Sequence, residues 1–386
     1  MACADACRHG ALAMSLRADG HWYPEVNAAA CVGCGLCERA CPARNGLAYG
    51  STDGKSVPLA AWATDKDLIR RSASGGVFAA VTLYVLSTGG YVAGAVSAGR
   101  EVRHIVTNKT EDLPLLQGTK YLQSDTRGAY RDVKRLLALG ETVLFSGTGC
   151  QVGGLLQYLG KAYDNLFTID LICAGVPSSL VMSRYCEEEK ISPKSIRWRD
   201  KENGWKHGLQ LTVTTEKGQY KPETAGCFFG GGFLGGMTAR WSCYNCRFTG
   251  TDRLSDFTIG DYWGAPKTFE PQWHDGVSVL VVHTEKGKAL LAECGVETKS
   301  TTWRESVRCN PRILLGTRPL SWANWERRLL SWNFRHLSYA TLKKLYASNI
   351  RKNDVLWLPY KVFKFLRWRI AQSLTTRRVN KILKTL

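Results

Sequence analysis

Apolar positions along the chain switch between two periods. Residues 142–145 form a short apolar run, Ser146-Gly147-Thr148-Gly149 reads as a turn, 151–159 repeat at helical spacing, and 166–172 form a second apolar run. Strand, helix, strand at this spacing predicts a βαβ unit with parallel strands. Upstream, 77–86 predict a helix, Gly89-Gly90 a break and 91–96 a strand; downstream, 209–215, 256–259 and 277–283 read as strands. The stretch from 60 to 310 is therefore expected to be an α/β (α+β) core. Residues 1–46 lack long apolar periodicity, and the chain from about 318 turns helical, basic and Trp-rich. Residues 72–99 carry no charge, but their glycines and small polar residues do not suit a membrane span, which needs ~20 predominantly apolar residues.

Length adds that 386 residues suit two or three domains, and a 44% hydrophobic share excludes wholesale disorder. The formal charge is +19, and its excess is local: residues 318–386 hold sixteen Lys/Arg against Glu326 and Asp354, a net +14. In that tail Leu358, Val362, Leu366, Ile370 and Leu374 recur every four residues, with Lys361, Lys364 and Arg367 towards other faces. Trp357, Tyr360, Phe363 and Trp368 are interleaved with them. The pattern fits an interfacial helix on anionic lipid. It equally fits a terminal helix packed on the body with a solvated basic face, and less well an acidic partner; no nucleic-acid module accompanies it. The start of the chain shows no basic segment followed by an apolar one, so no secretory signal is expected. A cytoplasmic protein, peripheral at the inner membrane surface, is the expectation, and its fourteen cysteines then read as metal or redox ligands rather than disulfides.

Cys31-x2-Cys34-x2-Cys37-x3-Cys41-Pro42 is the full bacterial ferredoxin run, whose fourth cysteine serves a neighbouring cluster in two-cluster proteins. Cys3-x3-Cys7 reads as the back half of a sister motif, with Arg8 where Pro is usual. By exchange of the fourth ligand, Cys31, Cys34, Cys37 and Cys7 complete one 4Fe–4S cluster. Cys3 and Cys41 are left with half of a second, which would need a pair upstream of Met1.

A second set is dispersed. Cys150 starts a helix and Cys173 ends the next strand, so parallel strands would put both at the carboxyl edge of the sheet, where open α/β sheets bind ligands. Cys243-x2-Cys246 follows. The four could close an inner cluster; buried structural thiols and a zinc pair are the alternatives. Cys186, Cys227, Cys294 and Cys309 have no partner pattern. Phosphate signals are weak: Gly147-x-Gly149-x3-Gly153 and Gly50-x3-Gly54-Lys55-Ser56 each miss a known fingerprint by one residue. Ser72-Ala73-Ser74-Gly75-Gly76 at a helix start could let backbone N–H groups approach a phosphate, or be a plain cap.

The ordered stretches 72–77, 118–124, 146–151, 170–177, 200–205 and 242–264 resemble the coenzyme F420 hydrogenase/dehydrogenase beta subunit family. The likeness covers about 65–290, behind a ferredoxin module (1–46). It implies a flavoprotein core with FAD and an inner 4Fe–4S cluster on Cys150, Cys173, Cys243 and Cys246. It suggests Ser74, Gly75, Gly76, Lys120, Ser146, Gly147 and Thr148 for the flavin pocket. Two positions depart: Gly149 stands for a usual Pro, and Ala174 for a usual His. An electron donor or acceptor protein and a small-molecule substrate are the implied partners, and His207, His274 and Asp261 are candidate proton donors. A non-catalytic electron-transfer subunit is the competing reading.

Overall fold

The computed structural model describes residues 1–44, 56–205, 210–221, 238–269, 272–308, 310–316 and 358–385, with a few positions between 332 and 341. Cys227, Cys309 and His207 lie outside the described residues, as does most of 318–357. The chain opens with the helix Ala2–Ala6 and an antiparallel hairpin of β1 (Leu12–Leu16) and β2 (Trp22–Val26). Then come β3 (Pro58–Ala63), β4 (Tyr91–Ala98), β5 (Glu101–Thr107), β6 (Ser124–Asp125), β7 (Val143–Thr148) and β8 (Leu166–Leu171). A small antiparallel sheet holds β9 (Ser195–Arg197), β10 (Thr212–Thr215) and β11 (Gly218–Tyr220); β12 (Phe257–Asp261), β13 (Ser278–Val282) and β14 (Val296–Ser300) complete the set.

Nine strands form one mixed sheet in the order β14-β3-β13-β12-β8-β7-β4-β5-β6. Its middle, β4, β7, β8 and β12, is parallel. Val143, Leu144 and Phe145 of β7 are wholly buried. Burial on both faces explains why the run is continuously apolar rather than alternating. The expected βαβ unit is present, with one difference. The strand does not end at Phe145: Ser146, Gly147 and Thr148 stay in register opposite Ile169, Asp170 and Leu171. Small residues read as a turn, yet their backbone groups still complete the ladder. The helix Gly149–Leu159 accordingly starts two residues early, closed by a reciprocal cap between Thr148 and Gln151.

The N-terminal module does not keep a core of its own. Ala2, Ala6 and Ala40 pack in one cluster with Tyr130, Val152 and Leu155. The Asp5 carboxylate accepts the N–H groups of Gly128 (2.8 Å) and Tyr130 (3.3 Å) at the start of the helix Ala129–Ala138. The uncharged stretch 72–99 resolves into the helix Val77–Ser87 and β4, and no described helix is long and apolar enough to cross a membrane. The final helix, Leu358–Leu383, packs Val379, Ile382 and Leu383 on the cluster around Val307 and Ile313. Cys186 and Cys294 are buried core residues.

Candidate functional site

Because β7 and β8 are parallel, their carboxyl ends share an edge. Cys150 lies in the first turn of the helix that leaves β7, and Cys173 follows β8 by two residues. Cys243 sits in the 3-10 turn Trp241–Asn245 and Cys246 closes it. That turn is tied to the same edge by the Pro177–Ala239 bridge and by the Arg240 N–H, which donates to Val176 O at 2.9 Å. The four thiols are close enough to act on one another. Burial pushes Cys173 far up, and Cys243, Cys150 and Cys246 add to it; burial first and then neighbouring thiols push Cys243 up to about 11. Burial also raises Cys246. Crowded, desolvated thiols keep their protons until a cationic group displaces them, because metal ligation requires thiolates.

Three of these sulfurs also have a nearby donor. Gly175 N–H reaches Cys173 Sγ at 3.3 Å, Phe248 N–H reaches Cys246 Sγ at 3.4 Å, and Thr148 Oγ1 lies 3.2 Å from Cys150 Sγ. Among the described residues no three His, Cys, Asp or Glu side chains converge tightly enough for a single metal ion. A cubane takes one thiolate per iron, a wider set.

In the module, Cys31 and Cys34 are exposed, and Cys3, Cys7, Cys37 and Cys41 are half-buried. Gly33 (φ 67°) and Gly35 (φ 70°) hold the left-handed backbone that winds this run, a conformation natural to glycine. Burial raises the Cys3 thiol, with Cys41 adding to it. Cys3, Cys41, Cys150 and Cys243 all line one cleft of about 420 Å³. That volume falls in the ~300–1,000 Å³ range of ligand pockets.

Of the residues expected around a flavin, Ser74, Gly76, Lys120, Ser146, Gly147 and Thr148 line this cleft. Gly75 does not. It packs behind the wall, its N–H donating to Ser278 Oγ at 3.0 Å, and an added Cβ would lie 2.5 Å from Ala61 O. Lys120 faces the cleft but spends its three donors on the carbonyls of Leu115, Leu116 and Gln117 (2.9, 2.7 and 3.0 Å), and burial lowers it to about 7. Asp261 lines the cleft too, with its carboxylate taken by Arg199 (3.1 Å) and Trp205 Nε1 (3.0 Å). His274 is exposed in a short helix.

His104 escapes a reading by motif. It lines the cleft, stacks on Phe145, and burial lowers it to about 4, so it is neutral. Its Nε2 lies 3.0 Å from Ser146 O and its Nδ1 2.6 Å from Ser124 Oγ. A carbonyl only accepts, so the proton sits on Nε2 and Nδ1 accepts the Ser124 hydroxyl. The alternating burial of Val102 and His104 along β5 is the signal that could have found it.

Residues 140–304 match the family model for the C terminus of the beta subunit of coenzyme F420 hydrogenase/dehydrogenase, and residues 1–45 match the 4Fe-4S dicluster domain. No curated protein matches the chain. Among solved structures, a chain from the xenon-derivatized F420-reducing NiFe hydrogenase complex of Methanosarcina barkeri is 18% identical. The match covers 74% of this chain and 90% of that one, with a TM-score of 0.44. The ferredoxin run and the stretches from 146 onward thus fall within the matched residues: behind a 4Fe–4S dicluster domain, the chain carries the C-terminal domain of the beta subunits of the coenzyme F420 hydrogenase/dehydrogenase family.

Proposed function

We propose that the chain is an iron–sulfur flavoprotein oxidoreductase. It passes electrons between 4Fe–4S clusters and FAD, and exchanges hydride with a small molecule such as an F420-like deazaflavin. The observation that carries this reading is one cleft lined by thiols of both cysteine sets, Cys3 and Cys41 from the module and Cys150 and Cys243 from the sheet edge. A bound flavin supplies the exchange between one-electron and two-electron chemistry. The chain's own residues hold and shield. Cys7, Cys31, Cys34 and Cys37 serve the ferredoxin cluster, and Cys150, Cys173, Cys243 and Cys246 the inner one. Ser74, Gly76, Ser146, Gly147 and Thr148 offer small side chains that let a cofactor lie against the sheet edge. Neutral His104 fixes Ser124 as an acceptor, so a donor on the ligand is favoured there. The exposed Cys31–Cys34 face suits docking of an electron donor or acceptor protein.

Protein purified without oxygen is expected to contain FAD, about eight iron atoms per chain, and a flavin band bleached by substrate. Clusters without flavin would replace this reading with that of a non-catalytic electron-transfer subunit.

The tail supports peripheral contact with an anionic membrane. Leu366, Ile370 and Leu374 are exposed in a segment of net +14, while Val379 and Ile382 anchor the same helix to the body. Truncation after Asn353 should abolish binding to anionic vesicles, and salt should weaken it; equal binding by both chains would exclude the tail as the contact.

A further inference from the structure

Arg253 is fully buried, and its guanidinium is surrounded by protein oxygens from three separate segments. Nε donates to Gly250 O at 3.1 Å. One terminal nitrogen donates to Phe248 O at 2.9 Å and to Asp170 Oδ2 at 3.2 Å, and the other to Ile313 O at 3.0 Å. Phe248 and Gly250 belong to the loop that follows Cys246. Asp170 lies on β8, three residues before Cys173, and is paired across the sheet with Gly147.

Asp170 is itself anchored. Its second oxygen accepts the Thr258 hydroxyl at 2.5 Å, and the Thr258 oxygen lies 2.9 Å from His283 Nε2. The loop also presses on the residue before Cys150: a Cβ added at Gly149 would meet Phe248 Cβ at 2.9 Å and Asp170 Oδ2 at 3.0 Å. On the far side, a Cβ at Gly316 would meet Thr249 Cγ2 at 2.5 Å. The segments bearing the dispersed cysteines therefore approach one another as closely as glycine permits, and one planar fork of donors joins them. A lysine ammonium could not span these oxygens in the same way. Removing one partner of a buried ion pair leaves the other charge uncompensated.

We propose that Arg253 is the positioning residue of the inner cysteine set: by clamping the loop after Cys246 to Asp170 and Ile313, it fixes Cys243 and Cys246 relative to Cys150 and Cys173. The inference rests on the reading that these four cysteines hold the inner cluster. Its buried cation also acts on the Cys246 sulfur; a positive charge at that ligand would favour the more negative, reduced state of a cluster held there, and so raise its reduction potential.

The test compares the full chain with Arg253→Met and Arg253→Lys, reconstituted without oxygen. Iron and sulfide are counted, the cluster is titrated redox-wise by EPR, and the rates of iodoacetamide alkylation at Cys243 and Cys246 are measured in the apo-protein. Arg253→Met is expected to bind about four fewer iron atoms per chain. It should alkylate both cysteines about tenfold faster, as local opening becomes easier. Arg253→Lys keeps the cation and is expected to retain cluster at a near-wild-type potential, with alkylation between the two. Should Arg253→Met fail to fold, Arg253→Lys alone decides through that alkylation rate. A folded variant with wild-type iron, potential and alkylation overturns the proposal. Faster alkylation, in a protein whose iron content Cys243→Ser leaves unchanged, keeps the positioning role and sinks the inner cluster instead.

Discussion

The two cysteine sets are built in opposite ways. In the module three of the four cluster ligands, Cys31, Cys34 and Cys37, fall within seven consecutive positions wound by left-handed Gly33 and Gly35, with Cys7 as the fourth, and Cys31 and Cys34 stay exposed. At the sheet edge, Cys150, Cys173, Cys243 and Cys246 come from segments almost a hundred residues apart, and burial raises three of the four thiols. A local site takes its ligand geometry mostly from spacing, even where its seat is built by the rest of the fold. A dispersed site is specified by strand order and must be held against the cost of bringing distant segments together.

The sharpest way to break this contrast is to remove one thiol from each set. Cys34→Ser and Cys243→Ser should each lose about four iron atoms per chain. Only Cys243→Ser should also lower the thermal midpoint of the holo-protein, because only that set ties distant segments. Equal midpoints would show that the sheet edge holds together without its cluster.

A second effect is acid-dependent and belongs to the sheet. His104 is held at about 4 against an ordinary 6.5. The unfolded chain therefore binds a proton that the folded one refuses between these values, and stability is lost as pH falls from 6.5 to 4. The loss should approach about 3 kcal/mol. Urea unfolding across that window should show it, and His104→Gln should remove its share of the slope, leaving that of His283, which burial holds at about 3.

Smaller effects separate the regions again. Gly35→Ala should cost about 1–2 kcal/mol through its positive φ and perturb the ferredoxin cluster alone. Thr148→Ala removes the cap of the helix bearing Cys150 and should cost about 1 kcal/mol, touching the inner set and the cleft wall but not the ferredoxin cluster. EPR of each variant, with its two cluster signals resolved, checks the assignment.

The legible part of the molecule follows the same division. The ferredoxin run, β7, β8 and the helix between them are readable because spacing and apolar period act over a few residues. The shared edge of Cys150 and Cys173 follows from parallel pairing alone. Arg253 is not readable, since its carboxylate partner lies 83 residues away. Lys120 enters the flavin pocket through the resemblance alone, and nothing in the residues around it shows that its ammonium meets three carbonyls. Gly75 resembles part of a phosphate loop, yet its missing side chain makes room for Ala61 O and Ser278. The small residues of Ser146-Gly147-Thr148 signal a turn because composition does not reveal a ladder that a neighbouring strand completes.

The shared packing of the first helix has a consequence for biogenesis. Ala2 and Ala6 leave the ribosome before Tyr130, Val152 and Leu155, on which they pack and which emerge about 125 to 150 residues later. The acceptors on Asp5 wait 123 and 125 residues for Gly128 and Tyr130. The ferredoxin ligands are therefore synthesised well before their seat exists, and stable loading of that cluster is timed by the growth of the sheet rather than by the appearance of its own cysteines.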